Sequence, residues 1–282
     1  MVSADSSPVS LTGHFTGQVW CRHDLSPEHL GSDLGRLLYQ AQRPFGWISQ
    51  QIYGSNLESM LLVRHQSLDD MVRAEIERGT CQIVEIASGL SGRSLRMLES
   101  YPDHGLRYIE ADLPRMIKWK RDRLTPAQKQ DPRLTLCDLN ILRLNGAMSL
   151  PAVLEQHVDP ARPVLVITEG LVNYFRLSVI QDFWARLQAE LSVYPRSTYL
   201  FEIWPRLPAY AESRMLKLGL AAIELLTRQR VPLHFADEQE IAAAMKAIGF
   251  RQVQVINPDE SERGRQFGAL HKSLFRLVKA EN

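Results

Sequence analysis

The sequence predicts an α/β fold with a mainly parallel sheet that a C-terminal antiparallel hairpin completes. Short apolar segments typical of buried strands alternate with longer segments of helical periodicity, and this alternation indicates a parallel sheet. The segment from Gln82 to Asp112 also forms a strand, a glycine-containing turn, a helix and a second strand. Such a βαβ unit is typical of proteins that bind nucleotides at the ends of their strands.

The N-terminal part of the chain is predicted to be mostly helical. Residues 1–10 are small and polar, so we expect a frayed start. Leucine and methionine then recur at helical spacing over residues 11–78, with a break expected at residues 43–46, which contain a proline and a glycine. We therefore predict a helical N-terminal cap over residues 1–78 and a core over residues 79–282.

The core is predicted from its strands and from the residues that begin and end its helices. Pro114 is expected at the start of one helix and Gly249 at the end of another, which are the positions these residues favour. The strands are expected near residues 82–87, 107–112, 134–137, 164–168 and 198–203, with the antiparallel hairpin formed by residues 252–256 and 274–278.

The segment 205–230 is predicted to be a helical insertion after the fifth strand. Its apolar residues recur at helical spacing between charged ones: Met215, Leu216, Leu220, Ile223 and Leu226. Because the segment follows a strand end, we expect it to form a lid over a substrate pocket together with the N-terminal helices. The alternative is that this apolar face packs on the core or forms a dimer contact.

The composition indicates a globular protein without a charged macromolecular partner. The chain has 282 residues, 45% hydrophobic and 23% charged, with a formal net charge of +1. This balance gives no reason to expect nucleic acid or an anionic membrane as a partner. Three scattered cysteines without metal-ligand spacing predict buried free thiols and no metal site. With no leader or membrane span visible, a cytoplasmic location is expected.

The glycine turn favours one nucleotide-like ligand over another. It reads Ala87-Ser88-Gly89-Leu90-Ser91-Gly92 and departs from the G-x-G-x-x-G pattern of dinucleotide sites. The departure favours S-adenosylmethionine (SAM), which has no pyrophosphate. Glu110 and Asp112 at the end of the second strand are both candidates to accept hydrogen bonds from a ribose.

Five motifs, in order, resemble those of the leucine carboxyl methyltransferase family and its bacterial relatives linked to polyketide O-methylation. They are Arg64–Asp69, Val84–Gly89, Glu110–Pro114, Asp138-Leu139 and Glu169–Tyr174, and the segment His14–Arg22 also resembles the opening of bacterial members. The resemblance implies a class I methyltransferase fold with a Rossmann-like sheet, and SAM as the cofactor.

The resemblance also implies roles for individual residues. Asp112, with Glu110 as its rival, would bind the ribose, and Arg64 would bind the methionine carboxylate through its planar fork of donors. The alternative for Arg64 is an ion pair with Asp69 or Glu75 on its own helix. Backbone groups of Ala87, Ser88 and Gly89 would lie against the cofactor.

The resemblance also implies roles for four further motif residues, and for some of them a purely structural role is the alternative. Asp138 and the backbone N–H of Leu139 would bind the adenine, although an aspartate at a strand end often forms an Asx turn. Glu169 would lie beside the sulfonium, or act as a structural acid. Tyr174 would lie on the acceptor side.

Tyr174, His14 and His234 are the candidate catalytic residues. The two histidines lie in segments expected to cover the site and could act as bases, although a histidine is more often structural. A base is needed for a hydroxyl acceptor and is unnecessary for a carboxylate, which is ionised at neutral pH.

The sequence thus predicts an O-methyltransferase that uses SAM and acts on a small-molecule carboxylate or hydroxyl. The alternatives are a nucleotide-binding oxidoreductase and a SAM-binding protein without turnover. The sequence leaves open whether the protein forms a homodimer.

Overall fold

A computed structural model describes residues 7–53, 56–206, 232–266 and 273–282. Its centre is a seven-stranded sheet in the order β3-β2-β1-β4-β5-β7-β6. The strands are β1 (Gln82–Ile86), β2 (Arg107–Asp112), β3 (Leu134–Asp138), β4 (Val164–Thr168), β5 (Ser197–Ile203), β6 (Gln252–Ile256) and β7 (Arg276–Glu281).

Helices precede the sheet and connect its strands. Within the described ranges, three α-helices lie before β1, and each parallel crossover carries at least one more. The α-helices of the described ranges are α1 (Ser7–Arg22), α2 (Asp33–Tyr53), α3 (Leu57–Glu77), α4 (Arg93–Ser100), α5 (Pro114–Arg123), α6 (Pro126–Gln130), α7 (Leu150–His157), α8 (Leu177–Leu191), α9 (Glu238–Ile248) and α10 (Glu262–Arg265).

The strand pairing confirms the predicted fold class. Strands β1 to β5 pair in parallel, whereas β7 pairs antiparallel with both β5 and β6. In the central register, Ile86 of β1 lies opposite Ala111 of β2 and Thr168 of β4. The carboxyl ends of these three strands therefore meet at one edge of the sheet, where open α/β sheets bind ligands.

The core covers both faces of the sheet. On one face, Phe183 and Trp184 of α8 pack with Tyr199 and Phe201. On the other face, apolar residues of α3 and α4 pack against Ile83, Leu165 and Leu200: Leu68, Val72, Ile76, Met97 and Leu98. Strands β1 and β4 are buried along their whole length, because helices lie on both sides of them.

Two boundaries differ from the sequence-based expectation. Helix α2 continues from Asp33 to Tyr53 with Pro44 inside it, so the break predicted at residues 43–46 is wrong. A proline removes one helical hydrogen bond, and the turns on either side can still continue the helix when tertiary packing supports them. The last strand begins at Arg276 rather than at residue 274 and continues to Glu281, because it pairs with two neighbours.

The predicted helical insertion lies largely outside the part of the chain that the structure describes, since residues 207–231 are not among the described ranges. Within those ranges, no helix has an apolar stretch long enough to cross a lipid bilayer. Cys81 and Cys137 are buried free thiols, as predicted, and Cys21 is half-buried.

Candidate active site

A cleft lies at the carboxyl ends of β1, β2 and β4, between the sheet and helices α1 and α3. Seven residues that the sequence singled out line it: Arg64, Ala87, Ser88, Gly89, Asp112, Glu169 and Tyr174. Other lining residues were not singled out, and they include Thr12, Phe15, Thr16, Trp20, Leu57, Leu61, Met116 and Glu202. The cleft thus joins motif residues of the core to an apolar wall from the N-terminal helices.

The glycine turn is held in place by the aspartate at the end of β2. Oδ2 of Asp112 accepts a hydrogen bond of 2.8 Å from the N–H of Gly89, and Oδ1 accepts one of 2.7 Å from the N–H of Leu113. Ala87 and Gly89 have φ values of +57° and +52°, so the chain turns sharply there. Burial raises the pKa of Asp112, although the two N–H donors oppose this shift. Asp112 therefore shapes the turn and still borders the cleft.

Arg64 lies between two carboxylates at the floor of the cleft. Its Nε donates to Oε1 of Glu169 at 2.9 Å, and its Nη1 lies 3.5 Å from Oε1 of Glu202. The proposed pairs within α3 do not form, because Asp69 binds Arg93 and Arg96, and Glu75 binds Arg78 and Lys279. Arg64 is consequently directed across the sheet, toward the ends of β4 and β5.

Arg93, which the sequence analysis did not single out, connects three buried carboxylates. Its guanidinium donates to Asp69 at 2.5 Å, to Glu85 at 2.5 Å and to Glu169 at 2.6 Å, and its side chain is completely buried. The buried arginine therefore offsets the negative charge that these acids bring into the protein interior. The only sequence signal for it is its position directly after the glycine turn.

Glu169 is fully occupied by partners within the protein. Besides the bonds from Arg64 and Arg93, its Oε2 lies 2.8 Å from Nδ1 of His65. Burial alone would raise the pKa of Glu169, but His65, Arg64 and Arg93 hold it well below its ordinary value. These three partners therefore favour the ionised form of Glu169 at the wall of the cleft.

Glu110 lies inside the protein rather than along the cleft. It is completely buried, forms an ion pair with Lys120 and accepts a hydrogen bond from Ser94. Burial raises its pKa, and Lys120 opposes the shift. The two acids of β2 thus have different surroundings, because Asp112 alone lies at the end of the strand.

Asp138 and Leu139 lie beyond the cleft lining, at the end of β3. Asp138 is exposed, and the backbone N–H of Leu139 donates to the carbonyl of Asp112 at 2.8 Å. Their predicted role in adenine binding remains a prediction.

The three candidate catalytic residues occupy different places. Tyr174 lines the cleft, and its hydroxyl donates to Oγ1 of Thr12 at 3.0 Å, which connects the core to α1. His14 and His234 do not line the described cleft. Nδ1 of His14 lies 3.0 Å from Oγ of Ser32, whereas Nε2 of His234 donates to the carbonyl of Phe175 at 2.9 Å. Burial lowers the pKa of both histidines.

Glu202, which lies beside Arg64, was also not identified from the sequence. The available signal was its position near the end of β5, next to the end of β4 in the parallel sheet. Among the residues with described positions, no group of three or more histidine, cysteine or acidic side chains could hold a metal ion.

Solved structures share this fold at low sequence identity. A DUF574 family protein from Streptomyces avermitilis superimposes with a TM-score of 0.62 and 13% identity, covering 95% of this chain and 96% of that one. An O-methyltransferase family protein from Burkholderia thailandensis gives a TM-score of 0.54 and 13% identity, covering 100% and 74%. The likeness shows the methyltransferase fold.

Curated relatives are more similar in sequence but longer. A protein of Frankia alni, provisionally named a SAM-dependent methyltransferase, is 27% identical over 131 residues, covering 46% of this chain and 43% of the relative. A protein of Mycolicibacterium paratuberculosis with the same provisional name is 28% identical over 205 residues, covering 70% and 62%. The aligned part of the chain spans less than two thirds of either relative.

The family model for leucine carboxyl methyltransferase matches residues 24–187, which is more than half of the chain and includes all five motifs. The chain therefore belongs to the leucine carboxyl methyltransferase family.

Proposed function

We propose that this protein is a SAM-dependent methyltransferase that methylates an oxygen of a small-molecule acceptor. The observation that carries the proposal is the cleft in which Arg64, Asp112, Glu169 and the glycine turn meet at the ends of three parallel strands. Relatives named as SAM-dependent methyltransferases support the cofactor assignment.

The described residues fit this cofactor. Two buried oxygens of residues that line the cleft, Oγ of Ser88 and Oε2 of Glu202, have no hydrogen-bond partner among the residues that the structure describes. Buried polar atoms normally have partners, so two such oxygens in the residues that form the cleft wall support a ligand site there. Gly89 borders the cleft at positive φ, and a Cβ there would meet only Ala87 O, at 4.0 Å.

Each part of the cofactor would have a group of this chain to hold it. Asp112 would accept from the ribose, and Arg64 would bind the methionine carboxylate with donors that its carboxylate partners leave free. Asp138 and Leu139 would lie toward the adenine. When bound, SAM supplies an activated methyl group on a positively charged sulfur, and Glu169 would lie beside that sulfur.

The acceptor side of the cleft favours a molecule with apolar surface. Phe15, Trp20, Leu57, Leu61 and Met116 line it. The hydrogen bond from Tyr174 to Thr12 holds α1 over the cleft, which excludes water and helps to align the acceptor oxygen behind the methyl group. We infer an aromatic or polyketide-like carboxylic acid or phenol as the acceptor.

The proposal is tested first by binding and then by turnover. Calorimetry should show binding of SAM or S-adenosylhomocysteine and no comparable binding of NAD; a preference for NAD would favour the oxidoreductase alternative. The protein is then incubated with SAM and a panel of matched aromatic acids and phenols, and S-adenosylhomocysteine release is measured. Binding without release, for every acceptor, would favour a SAM-binding protein without turnover.

A further inference from the structure

Two arginines, a tryptophan and a histidine form a cluster beside the cleft, where α5 lies close to α1. Arg115, Trp119 and Arg123 follow one another at every fourth position, so they lie along one face of α5. The Arg123 guanidinium lies 3.5 Å from the centre of the Trp119 ring. The ring of His14 on α1 meets the Trp119 ring edge-on, with 5.5 Å between the two centroids. We call these four residues the rim cluster.

The rim cluster borders the acceptor side of the cleft. Gly13 and Met116, the chain neighbours of His14 and Arg115, both line the cleft. The side chain of Met116 comes so close to α1 that a Cβ on Gly13 would lie 3.9 Å from it. Apolar lining and rim cluster are therefore carried by adjacent residues of the same two helices.

The two arginines of the rim cluster are exposed and, among the residues with described positions, have no acid within ion-pairing distance. Asp122, the acid of α5, binds Lys118 at 2.7 Å and interacts with Arg123 only beyond that distance. The chain as a whole carries a formal net charge of only +1, so the rim cluster is a local concentration of positive charge. Such a site attracts anions and raises their concentration nearby.

His14 adds an uncharged donor to the rim cluster. Oγ of Ser32 accepts from the N–H of Gly35 at 2.9 Å, so its own hydrogen is free to donate to Nδ1 of His14, 3.0 Å away. Burial and the positive charges of Arg123 and Arg115 lower the pKa of His14, so its imidazole is neutral at pH 7 and carries its hydrogen on Nε2. Within the described ranges, Nε2 has no hydrogen-bond partner, so its N–H is available to an anion.

We propose that the rim cluster binds an anionic end of the acceptor, a carboxylate or phosphate group separate from the oxygen that is methylated. The inference rests on the proposed function and specifies its substrate class. An acceptor whose apolar body lies along the α1 side of the cleft would extend such a group to the rim. There Arg115, Arg123 and Nε2 of His14 would donate hydrogen bonds to it, of which the two from the arginines are charge-assisted.

The alternative is that the rim cluster only holds α1 and α5 together. The contact of the Arg123 guanidinium with the Trp119 ring is favourable by itself, with or without a ligand. The two roles differ in their effect on binding. A packing role changes the affinity for charged and uncharged ligands alike, whereas an anion site distinguishes between them.

A matched pair of fluorescent probes tests the proposal. Anilinonaphthalene sulfonate and phenylnaphthylamine share an apolar body whose emission rises in apolar surroundings, and only the first carries an anion. Both are titrated into the wild-type protein with saturating S-adenosylhomocysteine, and into two double variants. Arg115→Gln/Arg123→Gln changes the rim cluster. Lys118→Gln/Arg121→Gln is the control, because it removes the same charge from exposed positions on another face of α5.

The measured quantity is the ratio of the affinities for the sulfonate and the uncharged probe. This ratio should fall by about tenfold in the rim variant, the combined effect of two partly exposed ion pairs, and stay unchanged in the control. An equal ratio in all three proteins would overturn the proposal, as would failure of the sulfonate to bind the wild type. Circular dichroism establishes folding. If the double variant does not fold, Arg115→Gln alone keeps the contact of Arg123 with Trp119 and should lower the ratio by about threefold.

Displacement of the bound sulfonate identifies the anion. The competitors are a hydroxyphenyl alkanoate, the alkyl phosphate of the same chain length and the corresponding uncharged amide. Stronger displacement by the first or the second assigns a carboxylate or a phosphate, and displacement by the amide as strong as by both anions would overturn the proposal. The proposed function fails separately: if S-adenosylhomocysteine does not bind, the cofactor assignment is wrong, and the ratio measured without it still tests the rim cluster.

Discussion

Arg93 on α4 donates a hydrogen bond of 2.6 Å to Glu169 at the end of β4, so a completely buried side chain holds one wall of the candidate active site. The same guanidinium also binds Asp69 of α3 and Glu85 of β1. The cleft is therefore connected to three elements of the core through one residue, and its shape depends on this network.

Arg93→Met should destabilise the protein by about 3–5 kcal/mol, because it leaves three buried carboxylates without their common partner. Urea unfolding followed by circular dichroism measures the free energy of unfolding. The matched control is Arg133→Met, which removes a partly exposed pair with Asp131 and should cost about 0–1 kcal/mol. Equal effects of the two changes would show that the Arg93 network does not stabilise the fold.

Asp112→Ala and Arg64→Ala should each weaken SAM binding by roughly 1.5–3 kcal/mol, the range for hydrogen bonds to charged groups. Asp112 also holds Gly89 in place, so Asp112→Asn, which keeps one acceptor oxygen, should lose less affinity. Calorimetry of the folded variants measures the change. Wild-type affinity in both alanine variants would mean that the cofactor binds elsewhere.

Gly92→Ala should destabilise the protein by about 1–3 kcal/mol and weaken SAM binding, because overpacking separates the cap from the glycine turn. A Cβ at Gly92 would lie 2.7 Å from the Cα of Ser26, beside the hydrogen bond from Ser26 to the carbonyl of Leu90. The control is Gly13→Ala in α1, where the nearest atom is 3.9 Å away. Thermal unfolding should show a loss for the first variant and no loss for the second.

Glu202→Gln should stabilise the ligand-free protein at pH 8 and have little effect at pH 5. The folded protein raises the pKa of Glu202 from 4.5 to about 7, so it binds this proton more tightly than the unfolded chain. Stability from Glu202 is therefore lost as the pH rises from 4.5 to 7, and the uncharged glutamine avoids the loss. The gain at pH 8 should be on the order of 3 kcal/mol. Unfolding curves at both pH values measure it; equal effects would contradict a titration of Glu202.

The order of the core elements could be predicted from local patterns. Alternating apolar segments, Pro114 at a helix start and Gly249 after a helix end depend on neighbours within a few residues. The course of α2 through Pro44 could not be predicted, because tertiary packing outweighs the local cost of a proline there.

The sequence predicted those residues of the candidate site that lie at the ends of strands. Asp112, Glu169 and the glycine turn each follow or end a predicted strand, and parallel strands bring such positions to one edge. His14 and His234 were chosen from segment position alone, and the structure directs them toward Ser32 and Phe175. Segment position does not determine which way a side chain points.

The sequence by itself determined the fold class, the family motifs and the edge of the sheet where a ligand would bind, since these depend on periodicity and on short motifs. The tertiary structure alone decided which charges meet. Arg64 and Glu202 are 138 positions apart in the chain, and Glu110 pairs with Lys120 while Asp112, two residues later, holds the turn. Burial and charge pairing depend on residues that are distant in the sequence and meet only in the folded protein, so a local sequence pattern does not predict them.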